Sequence, residues 1–563
     1  MSETCDNIKK VTTNRLYGMI VEEIEIPMRD GVYLSANLYR PDTEEKIPVL
    51  MTMGPYGKDV HFADHPVAAE LYKRFIQDKS PHMNGGTPDP DFWVPYGYAV
   101  IRIDQRGSGR SPGVLDLWSD TLKYDYYDAI EWAGTQSFCS GKVGLLGCSY
   151  YAITQWTAAQ EQPPHLSCLV MWEGAPDLYA DMVCLGGILQ TGFLSSYLEK
   201  RILPNQYGAG ELSDVELRKN RIDFEKLARE NTVRNNWWKN RSCDLKKVTV
   251  PFLSAGNWFC SGCISRGNIG GFLGAASKDK WLEMHIGSHF TEMYTEESRA
   301  LQKQFLDFWL KGIDTGLMHS QKIKFAMPEG GKEYHWMYEN EYPFKNTKWT
   351  KIYLDAKTLS LSESKFSDES SCTYRGDEKN DALALPMSLK PFDKNEENPK
   401  RVVLETRPLS HRVMLAGPIK LRLFASSSID DMDLYVSLRD IAPDGKEVVN
   451  FGAYTVDYPI SQGLLRASLR RTDKSRSTEY KPYYTFDQIE KLIPGKVYPI
   501  DIELADSAMT IEKGHTILLE IGSIDQSGCG MFTHNEDRIW NADVTVYTGG
   551  QYESYLQLPI IPE

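Results

Sequence analysis

Ser149 stands in the run Gly147-Cys148-Ser149-Tyr150-Tyr151-Ala152, where an apolar stretch ends and a helix-forming stretch begins. A serine on a sharp strand-to-helix turn can serve as a nucleophile, and small neighbours let the two backbones approach closely. Gly147 and Ala152 supply the small residues, but Tyr151 occupies the position where glycine is usual. The plain alternative is an ordinary turn with Ser149 as a helix N-cap. A general base tests the stronger reading. His289 follows the apolar run 281–286 in Gly287-Ser288-His289, the loop after the last main strand where such a base belongs. His285, inside that run, is expected to be a packed or edge histidine. The pair predicts acyl transfer through a covalent serine intermediate.

The elements that must position this pair are legible as short, continuous apolar runs, the kind found in strands buried on both faces. They cover 47–53, 98–103, 143–146, 166–172, 248–254 and 281–286, with helical stretches at 121–132 and 150–160. Leu301, Phe305, Phe308 and Trp309 make a helical stripe that stops at Gly312, a glycine stop. Alternating strand and helix predicts a mainly parallel sheet. Ahead of it, residues 23–27, the turn Arg29-Asp30-Gly31 and residues 32–39 read as two strands.

Between 177 and 247 the strand rhythm stops, and Ser213 with Glu216 forms a capping box opening a helical insertion. From about Thr350 the pattern has period two. Leu434, Val436 and Leu438 alternate with Asp433, Tyr435 and Ser437, and Ile500, Ile502 and Leu504 repeat the theme. That predicts an all-β sandwich of roughly 200 residues. The polar stretch 367–398 reads as a loop.

Bulk properties narrow the function classes. The chain has 563 residues, 41% hydrophobic and 25% charged, an ordinary globular composition. A net charge of −14 argues against a nucleic-acid partner. No signal-like or membrane-spanning stretch is read, and no membrane partner is expected. Ten scattered cysteines form no disulfide framework, and Cys260 with Cys263 lacks the second half of a zinc site. A cytoplasmic protein with reduced thiols is therefore expected, with no cofactor and no metal. A homo-oligomer is left open.

With Ser149 and His289 in place, the chain resembles the cocaine-esterase and X-Pro dipeptidyl-peptidase family. The resemblance rests on residues 104–113 (Asp-Gln-Arg-Gly-Ser-Gly-Arg-Ser-Pro-Gly), on 147–156 around the serine, and on Trp172-Glu173-Gly174 with Asp177. Ala255-Gly256-Asn257-Trp258 and Thr548-Gly549-Gly550 before Leu556 extend it along nearly the whole chain. It implies a catalytic α/β-hydrolase domain (1–176 and 247–345), an inserted helical cap (177–246) and a C-terminal jelly-roll β-sandwich (346–563). It also implies an oxyanion hole from the Tyr56 hydroxyl, in Pro55-Tyr56-Gly57, and the Tyr150 backbone N–H. The plain alternative for Tyr56 is a packing tyrosine beside a turn.

One part of the family pattern is missing. The triad aspartate expected after strand 248–254 aligns with Cys260, and no carboxylate lies between 248 and 274. Without an acid, a histidine base loses its correct tautomer and orientation. Glu173, directly after the preceding strand, is the favoured substitute, because loops at the C-terminal ends of adjacent strands converge. Asp177 or Asp181 is the alternative. A third reading has no acid at all, giving a weak hydrolase, an acyltransferase or a silent binding protein. Cys148 is read as structural. Trp237, Trp238 and Phe193 of the cap are expected to line an apolar pocket for a small ester or amide. An X-Pro peptidase would also need acidic groups to hold a free amine, and none is placed by sequence.

Overall fold

Apolar runs without polar alternation become strands with both faces covered. The computed structural model describes residues 9–16, 18–66, 68–75, 80–260, 264–376, 398–454, 456–524 and 539–562. Among these residues, the first part of the chain builds one eleven-stranded sheet. Its strands are β1 (Lys9–Leu16), β2 (Met19–Pro27), β3 (Tyr33–Pro41), β4 (Ile47–Gly54), β5 (Ala99–Asp104) and β6 (Cys139–Cys148). They continue with β7 (Leu166–Trp172), β8 (Phe252–Asn257), β9 (Lys280–His285), β10 (Ile323–Gly330) and β11 (Glu333–Glu339). The spatial order is β1-β2-β3-β5-β4-β6-β7-β8-β9-β10-β11. The pairings from β5 through β10 are parallel, and the outer pairs are antiparallel. Every residue of β4, β5 and β8 is buried, as continuous apolar runs require.

Helix Asp120–Gly134 begins at an N-cap serine, Ser119. Helix Tyr150–Ala159 is buried at all ten positions, held beneath the central strands. Gly312 closes the predicted late helix in the left-handed conformation, at φ 69°.

The insertion between β7 and β8 is helical, with Thr191–Tyr197 running on into Leu198–Ile202, then Asp214–Lys219, Phe224–Glu230 and Asn236–Asn240. The Ser213 capping box forms as the sequence predicts: Ser213 N–H donates to Glu216 at 2.9 Å, and Glu216 N–H donates back at 3.4 Å. The helical stretch from 191 to 202 went unread in the sequence, and it carries residues of the site.

The C-terminal part is β-rich. Strand Val413–Ser427 pairs with Tyr498–Ile511, with Val544–Thr548 and with Tyr555–Ile561, and the last pairing closes the ladder on itself. One expectation needs correction here. Residues Ser370–Tyr374, read as loop, form a strand against Val544–Thr548; residues 377–397 of that stretch lie outside the described residues. Strand Asp433–Ile441 is buried on both faces. Its polar face is covered because its charges are paired, Asp433 with Arg466 at 3.0 Å and Arg439 with Glu520 at 2.9 Å.

Candidate active site

The end of β6 turns so sharply that Ser149 takes φ 62° and ψ −122°. A non-glycine residue held there stores strain that only its surroundings can maintain. Ser149 N–H is tied to the Trp172 carbonyl at 2.9 Å, pinning the turn to β7. The bulky Tyr151 at the usual glycine position is accommodated by glycines placed elsewhere. A Cβ on Gly147 would meet Tyr151 Cβ at 2.5 Å, and one on Gly54 would meet the Tyr151 ring at 2.5 Å. The close approach that the serine turn demands is preserved by a different set of small residues.

His289 sits on the loop after β9 and is buried. Its backbone N–H donates to the Ala453 carbonyl at 2.9 Å, and Gly287 N–H to the Phe451 carbonyl at 3.0 Å. Its ring packs against Tyr454 with centroids 5.0 Å apart. The β-rich part therefore holds the histidine loop in place, a long-range contact that sequence periodicity does not encode.

The histidine has a carboxylate partner. Glu173 is fully buried, with φ 45° directly after β7, and its Oε2 lies 2.8 Å from His289 Nδ1. Its Oε1 lies 3.1 Å from His285 Nε2, and His285 Nδ1 lies 2.9 Å from Glu283. A ring that faces carboxylate acceptors on both nitrogens must donate from both, so His285 is an imidazolium. Burial works against that charge, but Glu283 and Glu173 outweigh it and push its pKa up to about 10. Burial alone would likewise raise Glu173, yet its attraction to His289 in that ring's protonated form and the hydrogen bonds from both histidines hold it at about 2. His285 is thus more than a packed histidine.

The other carboxylates are engaged elsewhere. Asp177 pairs with Arg234 at 2.6 Å, and Asp181 pairs with Arg266. Cys260 is buried after β8, and Cys263 lies outside the described residues. Cys148 is buried too, with burial pushing its thiol well above the usual range. Such a thiol stays protonated and is a poor nucleophile.

Two donors are available near the serine. Tyr150 opens its helix, so its backbone N–H has no carbonyl within the helix to bond. The Tyr56 hydroxyl lies 2.8 Å from the Tyr197 hydroxyl. Burial pushes its pKa up to about 12, with the Arg201 charge and hydrogen bonds from Tyr197 and Ser149 pulling back. It is therefore a neutral phenol that can donate. The side chain of Tyr150, by contrast, is structural, its ring 4.8 Å from Trp118 and its hydroxyl accepting from Trp118 N–H at 3.3 Å.

Ser149, His289 and Tyr56 line one cavity, partly open to solvent. The cap contributes Phe193, Tyr197 and Arg201, spaced i, i+4, i+8 along the helix that the sequence reading missed. That spacing puts all three on one face and was the available signal. His65, also missed, lines the cavity from the segment after β4. Burial, helped by the charge of Arg201, drives its pKa down to about 2, so it is neutral. The expectation that Trp237 and Trp238 line the pocket is wrong. Trp238 is fully buried with its indole N–H on the Asn231 carbonyl at 2.7 Å, and Trp237 packs on Trp238 and Arg241. They form the cap's own core, and only Phe193 of the three reaches the cavity.

Residues 30–291 match the model of the X-Pro dipeptidyl-peptidase (S15) family. Residues 315–557 match that of the X-Pro dipeptidyl-peptidase C-terminal non-catalytic domain. The chain belongs to this family. It is 24% identical to the cocaine esterase of Rhodococcus sp. (strain MB1 Bresler), an alignment spanning 96% of this chain and 98% of that one. The structure is similar to that of a CocE/NonD family hydrolase from Staphylococcus aureus, with a TM-score of 0.86, 28% identity, and coverage of 99% and 98%. An aminopeptidase from the marine sediment archaeon Thaumarchaeota archaeon shares the fold, with a TM-score of 0.75, 18% identity and full coverage of both chains. As a member of this family the protein is a serine hydrolase with an α/β-hydrolase domain, an inserted helical cap and a C-terminal β-rich domain. Among the described residues, no helix is long and apolar enough to cross a membrane.

Proposed function

We propose that the protein cleaves an ester or amide of a small acyl substrate through an acyl-enzyme on Ser149. The observation that carries this reading is the Glu173–His289 contact beside a cavity that also exposes the strained Ser149. In the first half-reaction Ser149 Oγ attacks the carbonyl carbon while His289 Nε2 takes the serine proton. The Glu173 carboxylate accepts from Nδ1–H, which fixes the tautomer with Nε2 free and stabilises the imidazolium as it forms. The developing oxyanion accepts from Tyr56 O–H and Tyr150 N–H, donors already oriented before the reaction. His289 then protonates the leaving alcohol or amine. Water, deprotonated by His289, attacks the acyl-serine and restores the enzyme.

The silent-binding alternative drew its support from the missing aspartate, and that support lapses because Glu173 meets His289. An acyltransferase on the same site would show transfer to an acceptor other than water exceeding hydrolysis. The test of the main reading is labelling with a fluorophosphonate, followed by peptide mass spectrometry. An adduct on Ser149, absent in Ser149→Ala together with 4-nitrophenyl ester turnover, is expected. A folded protein that gains no adduct on Ser149 overturns the proposal.

A further inference from the structure

Arg201 is 9% exposed, and it reaches the cavity from the cap with its guanidinium 4.1 Å from the centre of the Tyr56 ring. No carboxylate among the described residues pairs with it. That sets it apart from the other buried arginines. Arg439 is held by Glu447 at 2.8 Å and Glu520 at 2.9 Å, Arg241 by Asp116 at 2.7 Å and Arg299 by Asp89 at 3.1 Å. Even Arg102 donates to the His82 and Pro88 carbonyls at 3.1 and 3.3 Å. A buried cation without a counter-charge is costly unless something else supplies one. Burial accordingly lowers the Arg201 pKa, with only tyrosines opposing it.

The surroundings point to what supplies the counter-charge. Lys200 lies beside Arg201 on the cavity wall, and no described lining residue is Asp or Glu. This electropositive wall stands in a chain of net charge −14, so it is a local feature and not a reflection of composition. A planar guanidinium with several free N–H donors matches a carboxylate in bidentate geometry. A substrate with a free amine finds no acidic partner among the described lining residues.

We infer that Arg201 is a specificity-determining residue that binds a carboxylate on the substrate, so that the cavity selects esters or amides carrying an anionic group. This inference rests on Ser149 being the nucleophile, and it deepens that reading by naming the substrate class. Phe193 and Tyr197, on the same helix face, would pack on the chain that joins the carboxylate to the scissile bond.

The experiment compares mono-4-nitrophenyl adipate with 4-nitrophenyl hexanoate, two esters with six acyl carbons and one leaving group. A second pair, 4-acetoxybenzoate and phenyl acetate, places the carboxylate on the leaving side. A kcat/KM ratio of at least about tenfold for the anionic member of one pair is expected, and the pair that shows it locates the carboxylate. Arg201→Gln is expected to bring that ratio near one, and Arg201→Lys to restore part of it; fluorophosphonate labelling of Ser149 in each variant reports a folded site. Ratios near or below one in the wild type overturn the inference, as does an Arg201→Gln variant that loses both members of a pair alike. If no ester turns over, the nucleophile reading has failed, and calorimetry with monomethyl adipate and Ser149→Ala decides the inference separately. Binding that is lost on adding Arg201→Gln upholds it, and absence of binding sinks it.

Discussion

Glu173 Oε2 lies 2.8 Å from His289 Nδ1, while the other oxygen of the same carboxylate lies 3.1 Å from His285 Nε2. One buried carboxylate therefore orients His289 and is itself oriented by a charged histidine. Its backbone is fixed as well, since Glu173 N–H donates to the Ala255 carbonyl of β8 at 2.6 Å. The carboxylate that meets His289 follows β7, while Cys260 follows the neighbouring strand β8.

Glu173→Gln keeps the shape and removes the charge. An amide presents either oxygen or N–H to Nδ1, so the tautomer is no longer enforced and the imidazolium loses its counter-charge. A fall in kcat of about 10³–10⁴-fold is expected, with a smaller change in KM. Stopped-flow acylation by 4-nitrophenyl acetate measures it. Turnover within a few-fold of wild type would remove Glu173 from the mechanism.

Tyr56→Phe deletes one oxyanion donor and leaves the ring contacts with Tyr150 and Tyr151 in place. Losing one such donor costs about 10²–10³-fold in kcat. Because the bond is strongest to the transition state, KM should change little. If KM rises and kcat holds, the hydroxyl serves ground-state binding instead, and the oxyanion role is wrong.

His285→Gln tests the charged histidine. Its folded pKa, about 10, is above the ordinary value near 6.5, so its stabilisation is complete below about 6.5 and is lost as pH rises through 10. Glu173 sets the opposite edge. Held at about 2 against an ordinary 4.5, it contributes stability above about 4.5 that is lost as pH falls through 2. Breaking such a buried cluster costs about 3–5 kcal/mol. Urea unfolding of wild type and variant should differ most between about pH 4.5 and 6.5, and the gap should narrow toward pH 10. A gap that stays constant across this range would mean His285 is neutral.

The serine, the histidine, Glu173 and Tyr56 were readable because each lies at the C-terminal end of a continuous apolar run, and parallel strands bring such ends together. What the runs do not encode is how the insertion folds back. The helix face of Phe193, Tyr197 and Arg201 is mixed in polarity, so a search for an apolar stripe passes over it, and the Trp237-Trp238 pair drew the pocket assignment instead. Trp238 is buried and Trp237 half-buried, packed on each other and on Phe224 within the cap. Tyr454 and Ala453 reach His289 from more than 160 positions away in the chain. Only the packing of the β-rich part on the sheet brings them there.

Gly147→Ala probes how the serine turn is built. The added methyl would sit 2.5 Å from Tyr151 Cβ and 3.3 Å from both the Gly86 carbonyl and Thr52 Cγ2. The first contact involves an atom next to the helix backbone, which has little room to give. Overpacking of this kind costs about 1–3 kcal/mol, and relief would come from displacing the turn that aims Ser149. Expected results are a lower Tm and slower fluorophosphonate labelling. Tyr151→Gly removes the opposing Cβ and moves the glycine to the position after the serine where such turns usually carry it. The double variant should therefore label faster than Gly147→Ala alone, even though losing the Tyr151 ring leaves a cavity against Tyr56. Labelling no faster in the double variant would show that the 2.5 Å contact does not set the position of the serine.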